Sequence, residues 1–179
     1  MKNIKINGKD LYIIDNLFSN SFHSMLYGYV SSMNTYGLGF ADTDNIDNKN
    51  HVYYTAPFDL KELNDTNFFD EIEKTELNTL IENKQLVRAT VNSSVPSHSN
   101  FAHTHHSQWS MIYYLNLDWK PEWSGETLFY NEDLTEIEFA SVYKPNRAIF
   151  FDGEIPHSLR TQSNIAPQYR FSLALFFER

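Results

Sequence analysis

The chain has no cysteine. Disulfides and thiolate ligands are therefore excluded, and any metal ion must be held by His, Asp or Glu. Positive charge is also scarce: 14 Lys and Arg stand against 23 Asp and Glu, a formal net charge of −9. Non-specific binding to nucleic acid needs a basic face, so no nucleic-acid partner is expected. No stretch reaches the roughly 18 uncharged apolar residues of a transmembrane helix, so no membrane partner is expected either. The opening Met1-Lys2-Asn3-Ile4-Lys5-Ile6 lacks the apolar core of a secretion signal. The expected location is cytoplasmic. Internal repeats, low-complexity tracts and interdomain linkers are missing too. Nothing in the pattern specifies an oligomeric state.

What is present is a folded, β-rich composition, 41% hydrophobic and 16% aromatic over 179 residues. That length predicts one domain over residues 1–179, with a mixed helix and strand part over 1–84 and a β core over 85–179. In the first part, Leu11–Ile14 reads as a short buried strand. Ser19 reads as an N-cap, and Phe22, Met25, Leu26, Tyr29, Val30 and Met33 form the inner stripe of an amphipathic helix. Tyr36–Asn50 reads as a loop rich in Gly, Asp and Asn, and Thr66–Glu82 as a second, weaker helix. From Gln85 the period changes to two. Strands are predicted at Leu86–Asn92, Trp109–Asn116, Glu126–Tyr130, Ile137–Tyr143, Arg147–Asp152 and Arg170–Phe177, with a short one around His157. Strands this short and regular build a sandwich or barrel, and the preceding helices are expected against one face of it.

The most informative segment is His103-Thr104-His105-His106. Four histidines fall within nine residues once His98 is counted. On an extended segment His103 and His105 point the same way. His157, 52 residues after His105, could complete a facial set of ligands around one first-row metal. Arg170 follows thirteen residues later, where such a site could hold a carboxylate. Each piece has a plainer reading. His157 could be structural, and Arg170 could sit on a strand surface.

The downstream pieces occur in order: Tyr113-Tyr114-Leu115-Asn116, Trp119, Ser124-Gly125-Glu126-Thr127-Leu128-Phe129, Pro145-Asn146-Arg147 with Phe150-Phe151, Pro156-His157 and Arg170-Phe171-Ser172. This order resembles the Fe(II)/2-oxoglutarate-dependent oxygenases, in particular the prolyl-4-hydroxylase-like branch, over roughly residues 85–179. The resemblance implies a double-stranded β-helix, or jelly roll, of eight core strands packed on the amino-terminal helices. It implies Fe(II) as cofactor and 2-oxoglutarate and O₂ as co-substrates. His157 would be the distal ligand, Arg170 the clamp on the far carboxylate of 2-oxoglutarate, Ser172 the serine beside it, and Tyr114 a tyrosine bonded to the same carboxylate. The implied reaction is hydroxylation of a C–H bond in a small-molecule or peptide substrate.

The chain departs from that family at one point. His-x-Asp is expected, and no aspartate is there. In one register His103 is the family histidine and His105 takes the acid's place, giving the ligand set His103, His105 and His157. In the other, His105 is the histidine and Ser107 fills the acid position, as in the family's halogenases. The eight residues from His105 to Tyr113 fit strand, turn and strand better than the six from Ser107 do. Asp152, Glu154 and Glu126 are candidate carboxylates to accept from the ligands' remaining N–H groups. The rival readings are a three-histidine zinc enzyme, a cupin-type metalloenzyme and a non-catalytic jelly-roll binding protein. The cupin pattern wants a glutamate where Gln108 and Trp109 stand.

Overall fold

A computed structural model describes residues 1–33, 36–40, 52–96, 101–166 and 169–179. The chain opens with a hairpin of β1 (Lys2–Ile6) and β2 (Lys9–Ile14). Only β2 was expected. The pair turns at Asn7-Gly8, a dipeptide that favours tight hairpins. Helix α1 (Asn20–Ser31) starts where Ser19 caps it, the Ser19 hydroxyl accepting from the Phe22 N–H at 3.3 Å. Its inner stripe is Phe22, His23, Leu26 and Val30, while Met25 and Tyr29 are exposed. The stripe has turned toward His23, whose ring reaches the Tyr113 hydroxyl at 2.5 Å and the Asn116 carbonyl oxygen at 3.2 Å. A buried imidazole with both nitrogens bonded is as well satisfied there as a methionine would be.

A short helix that the sequence did not suggest, α2 (Leu60–Asp65), comes first, and the single helix expected over Thr66–Glu82 is instead two short ones, α3 (Phe68–Ile72) and α4 (Asn78–Ile81). Asp59 and Glu62 form the reciprocal capping box that starts α2. Asn67, at φ 56°, turns the chain between α2 and α3, since a left-handed residue cannot continue an α-helix. The tract read as a loop from Tyr36 contains β3 (Gly37–Phe40), paired with β4 (Val52–Pro57). The remainder of that loop, like His98, lies outside the described residues.

The period-two region follows expectation to within a few residues. It comprises β5 (Leu86–Ser94), β6 (Gln108–Tyr114), β7 (Thr127–Tyr130), β8 (Ile137–Ser141), β9 (Ala148–Asp152), β10 (His157–Leu159) and β11 (Arg170–Glu178). A larger antiparallel sheet runs β1-β2-β9-β6-β11-β5-β4-β3, and a smaller one runs β10-β7-β8. An isolated bridge between His103 and His157 adds one step to the smaller sheet beside β10. Counting that bridge, β5 to β11 supply the eight core strands of a jelly roll, the fold expected. Several neighbouring strands, among them β6–β11, β11–β5, β6–β9 and β10–β7, are far apart in sequence, which is how residues of the 85–178 region converge.

The larger sheet is apolar on both faces. Toward the helices it buries Met111, Tyr113, Leu173, Leu175 and Phe177 with Phe18, Leu26 and Leu63. Toward the smaller sheet it buries Tyr114, Ile149 and Phe151 with Phe129, Trp119, Trp123 and Tyr143. Strand β11 is therefore buried on both sides, and alternation divides its residues. Phe171, Leu173, Leu175 and Phe177 face the helices. Arg170, Ser172, Ala174 and Phe176 face the space between the sheets, where the candidate site lies.

Candidate metal centre

His103, His105 and His157 come together. One ring nitrogen from each lies within 4.8 Å of the other two. The ring centroids are 5.0 Å (His103 to His105), 4.5 Å (His103 to His157) and 5.2 Å (His105 to His157) apart. Backbone bonds set this up. His103 and His157 exchange N–H···O=C bonds of 3.0 Å in both directions, and the His105 N–H donates to the Gly153 carbonyl at 2.7 Å. The i, i+2 spacing then aims His103 and His105 to one side, while His106 between turns points outward. His106 Nδ1 lies 3.0 Å from Glu154 Oε2. Ser107, the alternative occupant of the acid position, is exposed in a turn at φ 58° and donates its N–H to Glu154 Oε1 at 3.0 Å. It takes no part in the cluster.

The donor set fits a metal dication. His103 Nδ1 is 3.1 Å from the Phe101 carbonyl oxygen and His157 Nδ1 is 2.9 Å from that of Ile155. A carbonyl only accepts, so both Nδ1 atoms carry the proton and Nε2 is the lone-pair nitrogen of each ring. Cis donors about 2.1 Å from one ion stand about 3 Å apart, so small rotations of the rings bring the cluster onto a metal. The carboxylates expected to support the ligands do not reach them. Asp152 pairs with Arg179, Glu154 serves His106 and Ser107, and Glu126 lies 3.9 Å from Arg160. Backbone carbonyls orient His103 and His157 instead. They leave the ligands less basic than carboxylate partners would.

Burial favours the neutral form of His105 and His157. It lowers His105 to about 3, with the neighbouring His103, Arg88 and His106 adding to the effect. His157 is pushed well below the ordinary range, again mainly by burial and then by His103 and His105. An unfolded histidine titrates near 6.5, so the folded metal-free chain binds fewer protons than the unfolded one between that pH and about 3. The stability these groups contribute is complete above pH 6.5 and is lost as pH falls toward the folded values. Urea midpoints of the metal-free protein should therefore drop as pH falls from 7 to 4. His105→Gln, which cannot titrate, should flatten part of that slope. Parallel pH profiles in parent and variant would contradict it.

Gly153 makes the clasp possible. A Cβ on it would stand 2.4 Å from the His105 carbonyl oxygen and 2.7 Å from that of Gln108, both backbone atoms that cannot step aside. Gly153→Ala should destabilise the fold by about 1–3 kcal/mol and, by displacing His105, weaken metal binding as well. Thermal melts with metal titrations test both effects. A variant with parental melting and affinity would mean that the strands tolerate the shift.

Arg170 lies deeper between the sheets, 3% exposed. Its Nε–H donates to the Gly125 carbonyl at 2.8 Å and an Nη1–H to Ser172 Oγ at 3.2 Å. Its guanidinium carbon is 5.3 Å from the Tyr114 ring and 4.8 Å from that of Tyr143. Among the described residues no carboxylate comes within ion-pair distance of it. Gly125 has φ 89°, and a Cβ there would press on Arg170 Cδ at 3.2 Å. Glycine therefore supplies both the turn and the close approach. The Tyr114 hydroxyl is 2.8 Å from Thr127 Oγ1 and donates to the Ser141 carbonyl at 3.3 Å.

Two strands link this cation to the histidines. Phe176, on the inner face of β11, packs 4.6 Å from the His105 ring, while Arg170 starts the same strand. On the opposite wall, Phe129 of β7 pairs with His157, and Gly125 lies just before that strand. Phe176, Tyr143 and Gly153 were not singled out from the sequence. The two aromatics carried no local sign distinguishing them from other core rings.

A sequence profile of the 2OG-Fe(II) oxygenase superfamily matches residues 85–178, and the chain belongs to that superfamily. Its members are enzymes that use Fe(II), 2-oxoglutarate and O₂. The fold is similar to a prolyl hydroxylase from Trichoplax adhaerens in complex with a hypoxia inducible factor peptide, at TM-score 0.66 and 16% identity over 94% of this chain and 83% of that one. It is similar to a prolyl-4-hydroxylase from Pseudomonas putida, at TM-score 0.62 and 14% identity over 94% and 92%. HygX from Streptomyces hygroscopicus, with nickel and 2-oxoglutarate bound, matches at TM-score 0.66 and 8% identity over 94% and 82%. A comparison with curated proteins finds no match. Among the described residues no helix is long and apolar enough to cross a membrane.

Proposed function

We propose that this oxygenase is a 2-oxoglutarate-dependent hydroxylase whose Fe(II) is held by three histidines, His103, His105 and His157. The observation that carries the reading is Arg170: a buried cation without a carboxylate partner among the described residues, opening the same inner strand face that meets His105. A charge buried without a partner costs several kcal/mol, and a bound carboxylate relieves that cost. Two of its five N–H groups have backbone or hydroxyl partners, which leaves an edge of the fork for a bidentate pair. Arg170, with Ser172 and Tyr114 beside it, receives the far carboxylate of 2-oxoglutarate. When bound, the iron couples oxidative decarboxylation of 2-oxoglutarate by O₂, giving succinate and CO₂, to insertion of the other oxygen atom at a C–H bond.

The residues of the chain contribute geometry and environment. The imidazoles present neutral lone pairs on one side, leaving the opposite side for co-substrate and O₂. Phe129, Phe151 and Phe176 around His157 and His105 exclude water. Three neutral ligands leave the centre one unit more positive than the family's usual set, so it should hold Fe(II) less firmly against copper or nickel. The likeness in fold to prolyl hydroxylases supports hydroxylation of a peptide or small molecule. Calorimetric titration of 2-oxoglutarate with and without Fe(II), followed by assay of succinate, tests the proposal. Tight metal-dependent binding and succinate formation are expected. Binding that ignores Fe(II), or metal content without any 2-oxoglutarate affinity, would replace it with the hydrolytic zinc reading.

A further inference from the structure

Resting on that functional reading, we infer that Arg88 receives a carboxylate of the second substrate, and that this enzyme acts on a molecule bearing a carboxylate near the C–H bond it oxidises. Arg88 and Phe176 are direct cross-strand partners on β5 and β11. The Arg88 guanidinium carbon lies 4.3 Å from the Phe176 ring centroid, and the His105 ring packs against the same phenylalanine at 4.6 Å. A cation thus stands one ring away from the metal cluster. It is solvent-exposed, on the part of the larger sheet beyond β11.

Two features favour recognition over packing. A guanidinium stacked on an aromatic face is held flat, with its N–H edge free for a carboxylate. The chain carries 23 acidic residues against 14 basic ones, yet among the described residues none pairs with Arg88. Alternation along β5 puts Thr90 and Asn92 on the same face as Arg88. There Thr90 Oγ1 lies 2.9 Å from Thr55 Oγ1 and donates to Asn92 Oδ1 at 3.1 Å. The Asn92 amide N–H groups are thereby turned away from that bond and have no acceptor among the described residues. The result is a polar floor with a cation at its metal end. With neutral imidazoles around a dication, a dianionic co-substrate leaves no net negative charge to repel a further carboxylate.

The test uses the zinc-loaded protein with 2-oxoglutarate for binding, by ligand-observed NMR, and the iron-loaded protein for stimulated succinate formation. Probes are the twenty common amino acids as free acids and as primary amides. Aspartate and glutamate blocked at both ends are added, to separate a free α-carboxylate from an acidic side chain in a peptide. At least one carboxylate probe should bind about tenfold or more tighter than its amide, as a charge-assisted pair requires. Arg88→Met, which keeps an apolar cover on Phe176, should erase that preference, and Arg88→Lys should keep part of it. Equal binding of acids and amides, no binding of any carboxylate probe, or an unchanged preference in Arg88→Met would overturn the inference. Affinity of the parent for 2-oxoglutarate, measured in the same samples, reports separately on the functional reading.

Discussion

Arg170→Ala should lose measurable 2-oxoglutarate binding while keeping its metal. The guanidinium lies at the far end of the inner face of β11, away from the histidines, so its removal leaves the ligand set intact. One charge-assisted pair contributes about 1.5–3 kcal/mol, roughly ten- to 150-fold in affinity, and the co-substrate carboxylate left unpaired in a buried space adds to the loss. The fold should survive, since removing a buried cation that has no carboxylate partner among the described residues also removes its desolvation cost. Arg170→Lys should recover little, because an ammonium cannot reproduce the fork that spans Gly125, Ser172 and a bound carboxylate. Titration of 2-oxoglutarate alongside metal analysis decides the matter. An alanine variant that binds the co-substrate as the parent does would place the clamp elsewhere and undermine the proposed function.

His105→Ala should lose most metal affinity, by roughly a hundredfold or more, since even removing a group hydrogen-bonded to a ligand costs ~10–100-fold. His105→Asp should do the reverse. An anionic ligand restores the charge that imidazole omits, so Fe(II) retention should rise, together with 2-oxoglutarate turnover in the absence of a second substrate. Rescue should be partial, because the aspartate is shorter and the His105 backbone is pinned to Gly153. The decisive comparison is with His103→Ala and His157→Ala. If those abolish metal binding while His105→Ala keeps it, the centre has two histidine ligands. Halide then becomes the natural occupant of the third position.

Much of this molecule was legible in one dimension. Period-two alternation after Gln85 marked the core strands because successive side chains face opposite sides of a sheet, and the different surroundings of the two sides force that pattern onto the residues themselves. The Ser19 cap and the Phe22, Leu26 and Val30 stripe marked α1 for the same kind of local reason. Arg170-Phe171-Ser172 and His103-x-His105 showed as motifs because both ends of each lie on one short segment, where two-residue spacing already sets direction. The Asn7-Gly8 dipeptide is likewise a local signal, for the first hairpin. The break at Asn67 was harder to see, since its left-handed backbone pays off only once Phe68 and Leu63 are buried.

Other features come from contacts between distant segments. Spacing to Tyr113 favours His105 over Ser107, but what turns its ring inward is the backbone bond to Gly153, 48 residues away. The carboxylates nearest the ligands in sequence proved to serve Arg179, His106 and Ser107, and backbone carbonyls took their place. Whether Arg88 stands beside the metal cluster depends on the pairing of β5 with β11, across more than 80 residues. Strand register is settled by which faces the whole sheet can bury together, a sum over both cores. Alternation along one strand reports which side is inward, and the assembled sheets supply what that side meets.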